Sequence, residues 1–170
     1  MDLPHYPPES QTSSPPSFVI SNDLHGHEIP GESKSVIMRP IFLYGTLMSA
    51  KLLAELLTGD RKNEDWVKMR RKPAILFGYT RRAVVDADYP GVVQGSKEDR
   101  VKGYLFYPRH PQDLQKIADF ENESYTREVV EVVVNELTAT MAYTYLWCDD
   151  IDDLCAEDWD FEEFERTCIL

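Results

Sequence analysis

Apolar residues in this chain occur in short runs separated by polar turns, and most of these runs have the content of β-strands. "IFLY", residues 41–44, is a continuous apolar run that predicts a buried strand. In the "SAKLLAELL" that follows, four leucines fall on one helical stripe ending before Gly59: Leu52, Leu53, Leu56 and Leu57. The sequence therefore predicts a strand that passes through a tight turn directly into an amphipathic helix.

The remaining pattern is also mostly strand. "PAILFGYTRRAVV" and "RVKGYLFYP" predict strands, whereas "PQDLQKIADF" predicts a short helix with Leu114, Ile117 and Ala118 facing inward. "YTREVVEVVVNELTATMAYTYLWC" predicts a long hairpin with its turn between Asn135 and Thr138. An acidic helical segment closes the chain, and four of its side chains are expected to pack: Leu154, Trp159, Phe161 and Phe164. Many strands with two or three helices predict an α+β fold whose sheet curls into a small barrel.

The first 38 residues differ from the rest in composition. They contain six of the eleven prolines, interleaved with Ser, Glu and Asn, and such a sequence buries too little apolar surface to offset the entropy of ordering. We expect a flexible tail at residues 1–38 and a single domain at 39–170. "SFVISN" is compatible with an added edge strand. His25 and His27 lack a third and fourth ligand at useful spacing, so no metal site is predicted there.

Charge and cysteine content limit the classes of function. The formal net charge of −12 argues against nucleic-acid partners, which require clustered Lys and Arg. No stretch has the length of a membrane span, and the N-terminus has neither the basic nor the apolar region of a signal peptide. Cys148, Cys155 and Cys168 are too few for a disulfide framework. These features predict a cytoplasmic protein with reduced thiols and neither a nucleic-acid nor a membrane partner.

The strand-to-helix junction is the first candidate site. Gly45 between a strand and a helix start lets the following backbone N–H groups point outward, where the helix N-terminus adds partial positive charge. Gly45, Thr46 and Leu47 would then form a nest suited to a carboxylate-bearing ligand. The same turn also occurs for purely structural reasons, so the pattern leaves both interpretations open.

The second candidate site is "IADFENESYTREV", which places three carboxylates between a helix and an apolar strand. If one of Asp119, Glu121 and Glu123 points into an apolar pocket, desolvation raises its pKa towards the working range of a general base. Glu121, which follows Phe120 between the helix end and the strand start, is the best candidate. The alternative is that all three decorate an exposed loop.

These stretches together resemble a known family. "YGTL" at residues 44–47, then "YPGVV" and "VKGYLFY", then "IADFENESYTREVVEV" are similar to the gamma-glutamyl cyclotransferase superfamily. Within it they most resemble the gamma-glutamylamine cyclotransferase and plant avirulence-induced branch, where a YGTL turn precedes an LDxFEGxxYxR-like segment. The resemblance extends from about residue 41 to residue 165.

The resemblance implies a small mixed-strand barrel flanked by a few helices, a small-molecule gamma-glutamyl substrate, and no cofactor or metal. Glu121 would be the catalytic general acid and base, and Tyr125 would line the pocket. Arg127 matches the motif arginine two residues later, and a surface or structural role is the alternative. The residues implied to take the gamma-glutamyl head are Tyr44, Gly45, Thr46 and Leu47.

Two positions depart from the family pattern. Asn122 stands where Gly is common, which affects the turn that aims Glu121, and Ala118 replaces the Asp of "LD". A nucleophilic enzyme is not supported, because the cysteines lie near acidic residues without a His partner, His110 falls in a loop, and no GxSxG motif occurs. The leading hypothesis is a cyclotransferase; a non-catalytic binding module and a pocket used for another acyl or proton-transfer step remain alternatives.

Overall fold

The computed structural model describes residues 38–169. The predictions for the N-terminal tail, including His25, His27 and the "SFVISN" strand, lie outside these residues. Seven strands are β1 Ile41–Leu43, β2 Arg71–Phe77, β3 Tyr79–Ala83, β4 Pro90–Gln94, β5 Arg100–Phe106, β6 Tyr125–Asn135 and β7 Thr138–Trp147. Four α-helices are α1 Ala50–Thr58, α2 Glu64–Met69, α3 Pro111–Phe120 and α4 Phe161–Cys168. Short 3₁₀ turns lie at Thr46–Met48, Arg61–Asn63 and Ile151–Asp153.

Five strands close into a barrel in the order β1, β5, β2, β6, β7. β1 pairs antiparallel with β5 and parallel with β7, so the barrel is mixed. β3 and β4 form a separate two-stranded antiparallel sheet. The predicted α+β fold with a small mixed barrel and flanking helices is confirmed.

The core has two main parts, one inside the barrel and one beneath the helices. The barrel interior is filled by apolar side chains that include Phe42, Leu76, Val92, Leu105 and Val132. On the other side of β1, α1 and α3 bury a second cluster that includes Ile41, Leu43, Leu53, Phe106 and Ile117. Successive β1 residues therefore pack into different clusters, which explains why "IFLY" is apolar at every position.

Local signals account for the helices that were predicted. Ser49 caps α1 by accepting a hydrogen bond from Leu52 N–H, and Gly59 ends the helix in the left-handed conformation at φ 79°. The Asp113 carboxylate accepts hydrogen bonds from the N–H groups of Arg109 and His110, which stabilises the start of α3. The long hairpin turns between Asn135 and Thr138 as expected.

Three features differ from the sequence prediction. There are four α-helices in residues 38–169 rather than two or three, because α2 is short, highly charged and buries only Val67. The segment "YPGVV" forms β4, which pairs with β3. The acidic C-terminal segment is α-helical only over Phe161–Cys168, because the Asp150 side chain caps a short 3₁₀ turn and the Asp158 side chain binds Arg81. No helix within residues 38–169 has both the length and the apolar character needed to cross a bilayer.

Candidate active site

A cavity of about 380 Å³ lies beside the end of β1. Its wall includes all six residues predicted as site residues, which come from two distant parts of the sequence: Tyr44, Gly45, Thr46, Leu47, Glu121 and Tyr125. The barrel therefore brings both candidate sites to one place, while the roles of these residues remain predictions.

The loop after β1 turns more gradually than the sequence predicts. It first forms the 3₁₀ turn Thr46–Met48, closed by a 2.9 Å hydrogen bond from Met48 N–H to the Gly45 carbonyl, and α1 begins only at Ala50. Within residues 38–169, the N–H groups of Gly45, Thr46 and Leu47 have no backbone acceptor. A Cβ atom on Gly45 would lie 3.2 Å from Pro90, so the absence of a side chain permits this close approach. The loop thus presents free backbone donors at the cavity wall.

Glu121 is the carboxylate of its segment that lines the cavity. It follows the last residue of α3 in extended conformation, and its N–H bonds to the Ile117 carbonyl at 3.2 Å. Burial raises the pKa of its carboxyl to about 7. Asp119 instead binds the Gln115 side chain at 2.7 Å, and both Asp119 and Glu123 are exposed. Only Glu121 of the three therefore has the environment of a general base.

A buried tyrosine, Tyr44, and a half-buried one, Tyr125, bind backbone at the cavity wall. The Tyr44 hydroxyl donates to the Tyr145 carbonyl, and the Tyr125 hydroxyl donates to the Pro90 carbonyl at 2.7 Å. Burial, with a smaller contribution from the Glu121 charge, raises the pKa of both hydroxyls. Both therefore stay protonated at neutral pH, and their hydrogen bonds hold the surrounding backbone in place.

Another part of the cavity wall is made by residues that the sequence analysis did not assign to the site. Tyr89 and Phe120 line the cavity and remain 39% and 43% exposed, and Leu52, Asp88 and Phe164 line it as well. The family resemblance included the Tyr89–Pro90 pair at the start of β4, but the sequence held no signal that α4 would contribute Phe164. Among the described residues of the cavity wall none is Lys, Arg or His. A substrate carboxylate would therefore meet backbone N–H groups rather than a cationic side chain.

The two departures from the family pattern fit the structure without strain. Asn122 has an ordinary negative φ, and its side-chain oxygen accepts a 2.9 Å hydrogen bond from Ser124 N–H, which stabilises the turn after Glu121. Ala118 packs against the core beneath α3. Arg127 is exposed, with its guanidinium 4.9 Å from the centre of the Tyr143 ring. It lies outside the cavity wall.

The remaining chemically reactive side chains lie elsewhere. Cys148 and Cys168 are exposed and Cys155 is half-buried, all as free thiols. None of these three and no part of His110 lines the cavity. The cavity wall therefore brings together a carboxyl with a raised pKa and backbone donors, and its lining residues include no thiol or imidazole.

The fold agrees with the comparisons to known proteins. The family described as "Gamma-glutamyl cyclotransferase, AIG2-like" matches residues 41–161, and the chain belongs to this family. AIG2-like protein D of Arabidopsis thaliana is 26% identical over 136 residues, covering 79% of this chain and 84% of that protein. AIG2-like protein C of the same plant is 26% identical over 127 residues, covering 74% and 69%. A solution structure of an Arabidopsis thaliana protein superposes with a TM-score of 0.58 at 26% identity, covering 76% of this chain and 73% of that one.

Proposed function

We propose that the protein is a cyclotransferase that converts a gamma-glutamyl amine or peptide to 5-oxoproline and the free amine. The observation that carries the proposal is the half-buried Glu121 carboxyl, whose pKa lies near 7, in the same cavity as the backbone donors that follow Tyr44. Membership of the cyclotransferase family supports the reaction class.

The reaction is an internal aminolysis. The alpha-amino nitrogen of the glutamyl group attacks its own side-chain carbonyl, which forms the new C–N bond of a five-membered ring and places negative charge on the carbonyl oxygen. Collapse of this intermediate breaks the original amide C–N bond and releases the amine. The alpha-ammonium must lose a proton before attack, and the leaving nitrogen must gain one.

Glu121 has the properties required for both proton transfers. A carboxyl with a pKa of about 7 is partly ionised at neutral pH, so it accepts the ammonium proton, and it is a strong enough acid to return a proton to the leaving nitrogen. Desolvation in the half-buried position makes the ionised form more basic than an exposed carboxylate.

The loop at residues 45–47 would hold the glutamyl head. Its free N–H groups suit either the alpha-carboxylate or the developing oxyanion. Tyr44 and Tyr125, fixed by their hydrogen bonds, would keep the substrate in the folded conformation in which amine and carbonyl meet.

The test is release of 5-oxoproline, measured by mass spectrometry, from a panel of gamma-glutamyl amines, gamma-glutamyl amino acids and glutathione. Wild type is compared with Glu121→Gln, and Glu123→Gln serves as the matched control because Glu123 is an exposed carboxylate two residues away. We expect release by wild type and the control, and a loss of about 100-fold or more in Glu121→Gln.

Two results contradict the proposal. Equal release by Glu121→Gln removes Glu121 as the acid-base group. Failure of folded wild type to release 5-oxoproline from any panel member favours a binding module or a different acyl or proton-transfer reaction in the same cavity.

A further inference from the structure

We propose that Arg81, a residue of β3, is a positioning residue that orients the backbone donors of the active site. The inference rests on the proposed function and concerns the loop at residues 44–48, here called the substrate loop. Arg81 does not line the cavity, so it would act through the loop rather than on the substrate.

The guanidinium of Arg81 binds two separate segments of the chain at the same time. Its Nη1 donates to the Tyr44 carbonyl at 2.9 Å. Its Nε and Nη2 bind the two carboxylate oxygens of Asp158 at 2.8 and 3.2 Å. The side chain is only 13% exposed and lies with its Cζ 5.6 Å from the centre of the Trp159 ring. Arg81 and Asp158 therefore form a bidentate ion pair, and the guanidinium also packs against the Trp159 ring. These contacts restrict the conformations that the Arg81 side chain can adopt.

The bond to Tyr44 fixes the direction of the next N–H group. The carbonyl of Tyr44 and the N–H of Gly45 belong to one peptide unit, which is trans and planar, so the two groups point in opposite directions. Because the carbonyl is bound to Arg81, which is not part of the cavity wall, the Gly45 N–H of the same peptide unit points away from Arg81. Because Gly45 has no side chain, its backbone dihedral angles are weakly restrained. The hydrogen bond from Arg81 to the Tyr44 carbonyl therefore restricts the orientation of the Gly45 N–H.

The far end of the substrate loop is held in a similar way. Arg71, on β2, donates from Nη1 to the Met48 carbonyl. Two arginines from neighbouring parts of the fold thus bind the first and last carbonyls of the loop. Such anchoring is the preorganisation that transition-state stabilisation by backbone N–H groups requires.

Through Asp158, Arg81 also connects the loop to other residues of the cavity wall. The next residue, Trp159, donates its indole N–H to the Asp88 carbonyl at 3.1 Å and packs against Phe164. Asp88 and Phe164 both line the cavity. Arg81 therefore connects the substrate loop, through Asp158 and Trp159, to Asp88 and Phe164 of the cavity wall. A simple surface ion pair makes no such connection.

The test compares Arg81→Ala, Arg81→Lys and Asp158→Asn with the control Arg61→Gln. Arg61 forms a 2.7 Å ion pair with Glu55 outside the cavity, and both partners are roughly half exposed. The first readout is the amide NMR signal of Gly45, which reports donor geometry without turnover. The second is kcat and KM for 5-oxoproline release, with and without added guanidinium.

In Arg81→Ala we expect a shifted or broadened Gly45 amide signal and a fall in kcat of about 100-fold. Added guanidinium should restore both in part. Arg81→Lys, which cannot bind Tyr44 and both Asp158 oxygens together, should be intermediate. Asp158→Asn should lose less than Arg81→Ala because the bond to Tyr44 remains. Arg61→Gln should match wild type.

The proposal is overturned if the Gly45 amide signal of folded Arg81→Ala is unchanged from wild type. It is also overturned if Arg61→Gln loses as much kcat as Arg81→Ala, or if added guanidinium does not restore the kcat of Arg81→Ala. Failure of the proposed function is separable from these outcomes. If wild type releases no 5-oxoproline, the cyclotransferase assignment fails, while the Gly45 signal still decides whether Arg81 orients the loop.

Discussion

Glu121 changes its protonation near neutral pH because of where α3 ends. Its position one residue past the helix turns the side chain into the cavity wall, and burial raises its pKa from 4.5 to about 7. The neighbouring Asp119 and Glu123 are exposed. Two residues along the chain therefore separate an ordinary surface carboxylate from a candidate acid-base group.

The raised pKa of Glu121 predicts a cost to stability at high pH. The folded state holds this proton up to about pH 7, whereas the unfolded chain loses it near 4.5, so folding stability falls as pH rises through this range. The neutral Glu121→Gln should escape this loss and become more stable than wild type by at most about 3 kcal/mol above pH 8. Urea unfolding at pH 4.5 and 8.5 measures the change; a difference between the two proteins that is independent of pH would contradict it, and Glu123→Gln is the control.

At the scale of elements, the sequence predicts helix ends and tight turns from local signals, but it does not predict which distant strands pair. α1 has both a capping serine and a terminal glycine, and the β6–β7 hairpin has a short polar turn, so both were predicted. The parallel contact of Ile41 with Tyr143 joins residues about a hundred positions apart and leaves no local trace. α2 was missed because it buries a single residue, and β4 because it begins with proline.

The same limit applies to the site. The loop and Glu121 became candidates because short motifs matched a family, whereas the sequence left open whether Glu121 lies in a pocket or in an exposed loop. Arg81, Asp158 and Phe164 could not be connected to them from sequence, because their contacts depend on how β3 and α4 pack against the barrel.

β1 and β5 approach so closely that one position between them requires glycine. A Cβ atom at Gly103 would lie 2.3 Å from the Leu43 carbonyl oxygen and 2.8 Å from the Phe42 ring. Because a backbone atom cannot yield as a flexible side chain does, Gly103→Ala should destabilise the protein by about 3 kcal/mol or more. Gly59→Ala is the matched control: its Cβ meets open space and only its φ of 79° is strained, at a cost of about 1 kcal/mol. Thermal and urea unfolding compare them, and equal losses would refute close packing at Gly103.

At the scale of the whole molecule, barrel closure builds the cavity. β1 lies between β5 and β7, so its C-terminal end meets the start of β6 and the end of α3, while α4 adds Phe164 from the far end of the chain. The protein is strongly acidic, at a net charge of −12, and within the described residues the cavity wall carries no cationic side chain. Binding the alpha-carboxylate of a glutamyl head in such a molecule would depend on oriented backbone donors, which is why the geometry of the substrate loop matters.

The central claim, that Glu121 acts as the acid-base group of a cyclotransferase, is tested most directly by the pH dependence of 5-oxoproline release. With a gamma-glutamyl amine as substrate, kcat/KM of wild type should rise through an apparent pKa of about 7 as Glu121 ionises, while Glu121→Gln stays near background throughout. Release by Glu121→Gln at the wild-type rate, or no release by folded wild type at any pH, would contradict the account.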